Sequence, residues 1–198
     1  MNSLKEKQED KIKRCPWANL EKHENYIHYH DNEWALASYD DKHLFEMIVL
    51  ESFHCGLSWL LILNKREAFR LAFDDFDPYR IKDYSENKIE ELLKDKSIVR
   101  HQGKIRATIS NAASFIKVQE EFGSFSNYIW SFTKGKILYG DGTKTKDELS
   151  DRVSKDLKKR GFKFMGSVTT YSYLEAIGVM NNHSPECYKS ATKQSISK

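Results

Sequence analysis

The sequence predicts an all-α domain, and three observations support this fold class. Only three prolines and nine glycines interrupt the 198 residues, so long segments remain in which a helix can form. Within those segments apolar residues recur three or four positions apart, which is the spacing of one helix face. Strand-like character is confined to residues 136–139, directly before the turn sequence GDGTK.

The predicted helices follow one another along the chain, and each is recognised by its apolar face. Breaks are expected at Asp77-Pro78 and at Gly123-Ser124, because proline and glycine interrupt helices. The fourth predicted helix ends near Gly161, and a fifth runs from about residue 168 to residue 177. The apolar faces are, in order, Leu44, Met47, Ile48 and Cys55; Ile89, Leu92 and Leu93; Ile105, Ile109, Ala112 and Ile116; and Val153 and Leu157.

The chain is predicted to form one domain over residues 15–188, with polar tails at residues 1–14 and 189–198. Apolar residues make up 39% of the chain, which is enough for a core of its own. The net charge is only +3, so any contact with nucleic acid has to come from a local basic patch. We expect a monomer, since no exposed apolar helix stands out.

The chain has three cysteines, Cys15, Cys55 and Cys187, which cannot all pair in disulfides. The charged N-terminal sequence carries no apolar run typical of a secretory signal, and no apolar segment is long enough for a membrane helix. These features favour a soluble protein of the reducing cytoplasm, without membrane attachment, whose thiols are free or bound to a metal.

Glu51 lies on the apolar face of the first predicted helix, four residues after Met47 and three after Ile48. One reading is a glutamate at the edge of the stripe that reaches solvent or caps a neighbouring helix. The other is a buried carboxylate in a pocket for a cationic, flat ligand. Burial of a carboxylate is costly unless hydrogen bonds or a positive charge compensate it, and such a ligand would supply them. Aromatic side chains, which attract cations through their ring faces, are close in sequence. They are Trp17, Tyr26, Tyr29, Trp34 and Trp59.

The stretch NNHSPEC near the C-terminus carries His183 and Cys187, two residue types that bind metals. A Cys2His2 zinc site with upstream ligands would join the two ends of the domain, and four protein ligands would make it structural. Spacing does not distinguish His28 from His30, and a buried free Cys15 with surface histidines is the alternative. The upstream candidates are Cys15, His23, His28 and His30.

The segment SKDLKKRGFKFMGSVTTYSYLEAIG reads as a helix, a short glycine-bounded turn and a second helix. Free backbone N–H groups at the start of the second helix, around Gly166, Ser167 and Val168, could hold a DNA phosphate. The alternative is an ordinary helix end with a basic last turn and a glycine cap. The basic residues of this segment are Lys155, Lys158, Lys159, Arg160 and Lys163.

A series of motifs between Cys15 and Cys187 resembles the bacterial 3-methyladenine DNA glycosylase I family. In order, they are CPW, YIHYHDNEW, LFEMIVLES, GLSW, NKREAFR, IVRHQGKI, DLKKRGFKFMGSVTTYSYLEA and NNHSPEC. The resemblance implies a helix-hairpin-helix glycosylase fold, with the hairpin at about residues 164–169. Three features depart from the common pattern. Ala35 stands where a glycine is usual after HDNEW, Cys55 replaces a common alanine, and the spacing from Cys15 to His30 is a couple of residues longer than usual.

The resemblance also assigns residues to a site. The zinc ligands become Cys15, His30, His183 and Cys187, and His30 is chosen because the family histidine directly precedes DNEW. The base pocket becomes Glu51 as the catalytic residue, with Trp59, Tyr29 and Tyr26, and Trp17 at its edge. The residues expected at the DNA are His54, Gly56 and Leu57 of one loop, and Lys163, Gly166 and Ser167 of the hairpin.

The implied activity is hydrolysis of the N-glycosidic bond of 3-methyladenine in double-stranded alkylated DNA, which releases the free base and leaves an abasic site. Other hairpin glycosylases carry an aspartate about twenty residues after the second hairpin glycine, whereas VMNNHSPEC has none; Asn182 and Glu186 are the nearest polar residues. No lysine is placed as a Schiff-base nucleophile, so no lyase activity is expected. Three alternatives remain. They are a helical DNA-binding protein whose two ends are joined by zinc but which has no catalytic activity, a hydrolase with catalytic zinc, and a small-molecule binding module.

Overall fold

The computed structural model describes residues 12–190, and these are mostly helical, as the sequence predicts. Most of the two predicted tails lies outside the described residues, although Arg14 is already bound to the domain by a salt bridge to Asp31. The α-helices among the described residues are α1 (Glu24–Asn32), α2 (Asp41–His54), α3 (Trp59–Asn64), α4 (Arg66–Ala72), α5 (Pro78–Ile81), α6 (Glu86–Lys94), α7 (Gln102–Phe122), α8 (Phe125–Ser131), α9 (Glu148–Lys159) and α10 (Ser167–Ala176).

Two strands of two residues each, β1 (Leu138–Tyr139) and β2 (Met180–Asn181), pair in parallel. The sequence indicated the first of them and not the second. Their pairing fixes the loop after β1 beside the segment that follows α10. Among the described residues, no helix combines the length and apolar character that spanning a membrane requires.

Short polar side chains begin several of these helices where the sequence places them. Asp40 accepts a hydrogen bond from the backbone N–H of Lys42 at the start of α2, and the Ser58 hydroxyl accepts one at the start of α3. Such caps satisfy N–H groups that have no partner within the helix. The long helix α7 ends at Gly123, whose φ of 80° is the left-handed conformation that favours glycine.

Helix α2 is the centre of the core, because every residue from Leu44 to Phe53 is buried. It packs against α3, α7, α8 and α10, so its apolar residues have neighbours on all sides. Glu51 belongs to this buried run and lies in the last turn of α2. The fold therefore holds a carboxyl group inside the protein at the negative end of a helix dipole, where it needs compensation.

The segment after α1 lies directly against the C-terminal end of α10. The backbone N–H of Ala35 donates to the carbonyl of Glu175, and that of Ser38 donates to the carbonyl of Ile177. Gly178 has a φ of 74°, and a Cβ at this position would lie 2.2 Å from a backbone atom of Leu36. This close approach fixes the end of α10 relative to α1.

Ala35 has a left-handed backbone conformation, with a φ of 62°, and its side chain is buried. A non-glycine residue pays about 1–2 kcal/mol for this conformation. We expect Ala35→Gly to raise the free energy of unfolding by up to about 1 kcal/mol, which thermal denaturation can measure. Ala37 is the control: it is exposed and outside the left-handed region, so Ala37→Gly should lower the melting temperature. A lower melting temperature for Ala35→Gly would contradict the expectation.

Candidate active site and metal cluster

A cavity of about 240 Å³ lies between α1, α2, α3, α10 and the loop after β1. This volume suits a single small ligand rather than a drug-sized one. The cavity wall contains all five residues that the sequence analysis assigned to a pocket: Trp17, Tyr26, Tyr29, Glu51 and Trp59. The other lining residues are Trp34, His54, Gly142, Lys144, Ser172, Glu175 and Asn182.

Glu51 is only 3% exposed, so it does not reach solvent at the edge of its stripe. Burial raises the pKa of the Glu51 carboxyl, while the hydrogen bond from His54 lowers it. The His54 Nδ1 and Glu51 Oε2 atoms are 3.1 Å apart. His54 is therefore the partner that compensates the carboxylate in part, and the remaining negative charge lies at the cavity.

The cavity walls are largely aromatic. The rings of Tyr29 and Trp59 are 5.1 Å apart between centroids, and Trp17 stacks on Tyr26 at 5.3 Å. The Nε1 atom of Trp59 is buried and has no hydrogen-bond partner among the described residues. Aromatic faces beside a buried carboxylate are an environment suited to a flat cation.

A second carboxyl group, that of Glu175 in the last turn of α10, also lines the cavity. Burial raises its pKa to about 7, opposed by a hydrogen bond from Asn182 and assisted by the charge of Glu51. The Asn182 side-chain amide donates to Glu175 Oε1 over 2.8 Å and to the Tyr171 hydroxyl over 2.9 Å. No motif or spacing in the sequence indicated Glu175.

Four predicted metal ligands, Cys15, His30, His183 and Cys187, form a buried group whose ligand atoms all lie within 4.8 Å of one another. His183 Nδ1 is 3.4 Å from Cys15 Sγ and 3.5 Å from Cys187 Sγ, and His30 Nε2 is 3.6 Å from Cys187 Sγ. His28, by contrast, is exposed and lies 3.1 Å from the Asn32 side chain. The group could hold a metal ion.

The residues around the cluster orient His30 and favour the neutral form of His183, as metal ligands require. His30 Nδ1 is 2.7 Å from Asp31 Oδ1, which leaves Nε2 toward the thiols, and Arg14 in turn binds Asp31. Burial lowers the pKa of His183 to about 4, so this side chain is in the neutral form that binds metals. Burial raises the pKa of the Cys15 thiol to about 11, so a cation is needed to hold it as a thiolate.

The metal cluster and the cavity share a wall. Trp34 meets His183 edge-on at 4.7 Å between ring centroids, and Trp17 meets His30 edge-on at 4.9 Å. Both tryptophans also line the cavity. The cluster and the cavity are therefore connected by direct ring contacts.

Helices α9 and α10 are joined by a turn whose backbone is held from α7. The buried Asn111 side chain donates to the carbonyl of Lys163 over 3.1 Å and accepts from its N–H over 2.8 Å. Phe164 follows with a φ of 58°, a strained conformation for a bulky residue, and its side chain is partly exposed. Arg160, which the sequence analysis counted with the basic patch, is instead paired with Asp156 and Glu121.

The loop after α2 carries Gly56 and the partly exposed Leu57 beside the cavity residue His54. Its position is set by the buried Lys104, whose Nζ donates to the carbonyls of Phe53 over 2.9 Å and Cys55 over 2.6 Å. The positive charge thereby lies at the C-terminal end of α2, where helix carbonyls lack partners.

A larger cavity, of about 610 Å³, opens beside Arg66 and Glu46. Its buried charges are already paired, because Arg66 donates to Glu46 over 2.7 Å and to Glu33 over 2.6 Å. The smaller cavity is the better candidate site, since Glu51 there has no arginine or lysine partner among the described residues.

Comparison with known proteins identifies close relatives. Residues 17–190 match the family described as methyladenine glycosylase. The chain is 40% identical over 181 residues to DNA-3-methyladenine glycosylase 1 of Escherichia coli (strain K12), covering 89% of this chain and 96% of the relative. It is 37% identical over 179 residues to DNA-3-methyladenine glycosylase of Haemophilus influenzae, covering 88% and 96%.

Solved structures agree with these relatives. A crystal structure of a 3-methyladenine DNA glycosylase I matches with a TM-score of 0.86 at 41% identity. The match covers 90% of this chain and 100% of the chain in that structure. A 3-methyladenine DNA glycosylase I from Staphylococcus aureus, studied for 3-methyladenine recognition, matches with a TM-score of 0.81 at 40% identity, covering 84% and 91%. The described fold is thus that of these enzymes.

Proposed function

We propose that this chain, which belongs to the methyladenine glycosylase family, excises 3-methyladenine from alkylated DNA. The enzyme hydrolyses the N-glycosidic bond, releases the free base and leaves an abasic site. The observation that carries this proposal is the cavity in which a buried carboxyl group meets aromatic faces. A solved relative is described as a complex with 3-methyladenine.

The lesion is a cation, and this charge distinguishes it from normal adenine. A base must first leave the stack to enter the pocket, which costs a few kcal/mol and is least costly for a damaged base. Trp59 and Tyr29 then stack on the cationic ring, a contact that contributes about 0.5–2 kcal/mol. Ionised Glu51 accepts a hydrogen bond from the exocyclic amine edge, which contributes about 1.5–3 kcal/mol. Neutral adenine loses part of both contributions.

The reaction needs little acid catalysis. When the bond between the sugar C1′ and the base nitrogen breaks, its electron pair stays with the base, which departs neutral. The sugar cation then adds water at C1′ and loses a proton. Lys144 lies at the cavity, but it is exposed rather than in the desolvated surroundings that activate a nucleophilic lysine. We therefore retain hydrolysis without lyase activity.

We further propose that the metal is zinc and that it is structural. With bonds of about 2.3 Å to sulfur and about 2.0–2.1 Å to nitrogen, a tetrahedral zinc holds sulfur and nitrogen about 3.5 Å apart. The three sulfur–nitrogen separations between 3.4 and 3.6 Å agree with this geometry. Two thiols and two imidazoles would occupy all four positions, so zinc would supply folding energy rather than activate water.

The DNA-binding surface is proposed to combine the loop of His54, Gly56 and Leu57 with the turn between α9 and α10. The N–H groups of Gly166 and Ser167 at the start of α10 would bind a phosphate, as in a helix-hairpin-helix motif. The exposed Lys163 would add positive charge beside them. Affinity for DNA should therefore fall as the salt concentration rises.

Release of bases from methylated duplex DNA tests the function directly. The protein is incubated with DNA treated with a methylating agent, and the released bases are separated by chromatography. We expect free 3-methyladenine, abasic sites and uncleaved strands. DNA binding without base release would favour the alternative of a helical DNA-binding protein without catalysis. Strand cleavage at the abasic sites would contradict hydrolysis alone.

A further inference from the structure

The cavity contains more negative charge than one glutamate supplies. Glu51 lies in the last turn of α2, whose dipole Lys104 offsets, and Glu175 lies in the last turn of α10. Two carboxyl groups therefore meet at one cavity, beside the exposed Lys144. Mutual repulsion and burial make this arrangement costly unless a positive ligand enters. The arrangement therefore favours binding of a cation and lowers the stability of the protein without a ligand.

The side chain of Glu175 is held rather than free to leave the cavity. The Asn182 amide is buried and donates to both Glu175 and Tyr171, so its orientation is fixed. The loop after β1 packs closely on Asn182, since a Cβ at Gly140 would lie 2.3 Å from Asn182 Oδ1. Glu175 Oε1 is thus occupied, and no hydrogen bond from another described side chain reaches Oε2.

We propose that Glu175, positioned by Asn182, is a second base-binding carboxyl group that selects the lesion by its positive charge. The inference rests on the proposed excision of 3-methyladenine and extends it to a residue of this chain that the motifs did not indicate. Glu175 acts on binding rather than on bond cleavage, because the positive charge leaves the base and moves to the sugar as the bond breaks. An interaction with the charged base stabilises the bound substrate at least as much as the transition state.

Glu175→Gln tests this role because it removes the charge and retains an oxygen that can accept from Asn182. With methylated DNA at pH 8, we expect KM to rise about tenfold, the lower end of what a charged hydrogen bond contributes, with kcat unchanged or slightly higher. Glu175→Asp, which keeps the carboxyl group, should recover part of the affinity. Glu90→Gln, at an exposed glutamate of α6, is the matched control and should behave as the wild type.

The pH dependence gives a second readout. Because the pKa of Glu175 is about 7, the neutral form that resembles glutamine predominates at pH 6 and the charged form at pH 8. The ratio of kcat/KM between wild type and Glu175→Gln should therefore be about two at pH 6 and about ten at pH 8. The ratio is used because other titratable groups share this environment: Tyr26, Tyr29, Glu51, His54, Lys144 and Asp147.

Three results would overturn the inference. One is an unchanged KM at pH 8, and another is a fall in kcat alone. A third is an equal loss in Glu175→Gln and Glu175→Asp together with lower melting temperatures, which would make Glu175 a structural residue. Absence of base release by the wild type would instead refute the proposed function, and the inference would fall with it.

Discussion

Glu51→Gln is expected to lower kcat/KM for 3-methyladenine release by about 10- to 100-fold, the value of a lost charged hydrogen bond. The substitution preserves shape and removes the charge that would face the lesion. It should not cost stability, because the wild-type carboxyl is buried at the negative end of α2 and burial raises its pKa. We therefore expect an unchanged or higher melting temperature together with lower activity, measured by base release and thermal denaturation.

This combination separates a functional carboxylate from a structural one. A residue that only supports the fold would lose stability and activity together, whereas a residue kept for its ligand loses activity alone. Glu90→Gln changes the same charge at an exposed site and controls for the net charge of the protein. Unchanged base release in Glu51→Gln would remove Glu51 from the mechanism, even though the cavity would remain.

The sequence predicted those parts of the fold and site that depend on local pattern. The apolar spacing around Glu51 predicted a helix, and the carboxyl group is buried as that face requires. The cysteine and histidine spacing indicated a metal cluster but could not choose between His28 and His30. The choice came from the family resemblance, and in the structure His30 is the buried member of the cluster while His28 is exposed.

Other features depend on contacts between distant segments, and local pattern could not reveal them. Glu175 follows several aromatic and apolar residues on α10, and only the packing of α10 beside α2 and the segment after α1 brings it to the cavity. Arg160 appears in the sequence as part of a basic run, but Glu121, 39 residues away, neutralises it. The two-residue strand β2 is too short to show any period. Charge in sequence is therefore a weaker predictor of a binding surface than charge that remains unpaired after folding.

Loss of the proposed structural zinc is expected to have the largest effect on stability. The cluster joins Cys15 and His30 near one end of the domain to His183 and Cys187 near the other, so its loss frees both ends and the cavity wall they support. For Cys187→Ser we expect loss of bound zinc and of at least about 3 kcal/mol of folding free energy. That loss corresponds to a decrease of about 6–12 °C in melting temperature for a domain of this size.

The matched control is Cys55→Ser, because Cys55 is exposed and lies outside the cluster. This variant should keep one zinc per chain and the wild-type melting temperature, as measured by elemental analysis and thermal denaturation. Chelation should reproduce the effect of Cys187→Ser, and activity should fall only as the protein unfolds. If chelation abolished base release while the protein stayed folded, zinc would be catalytic. If the purified wild-type protein contained no zinc and were only as stable as Cys187→Ser, a structural metal would be excluded. The four buried ligand atoms would then need another explanation.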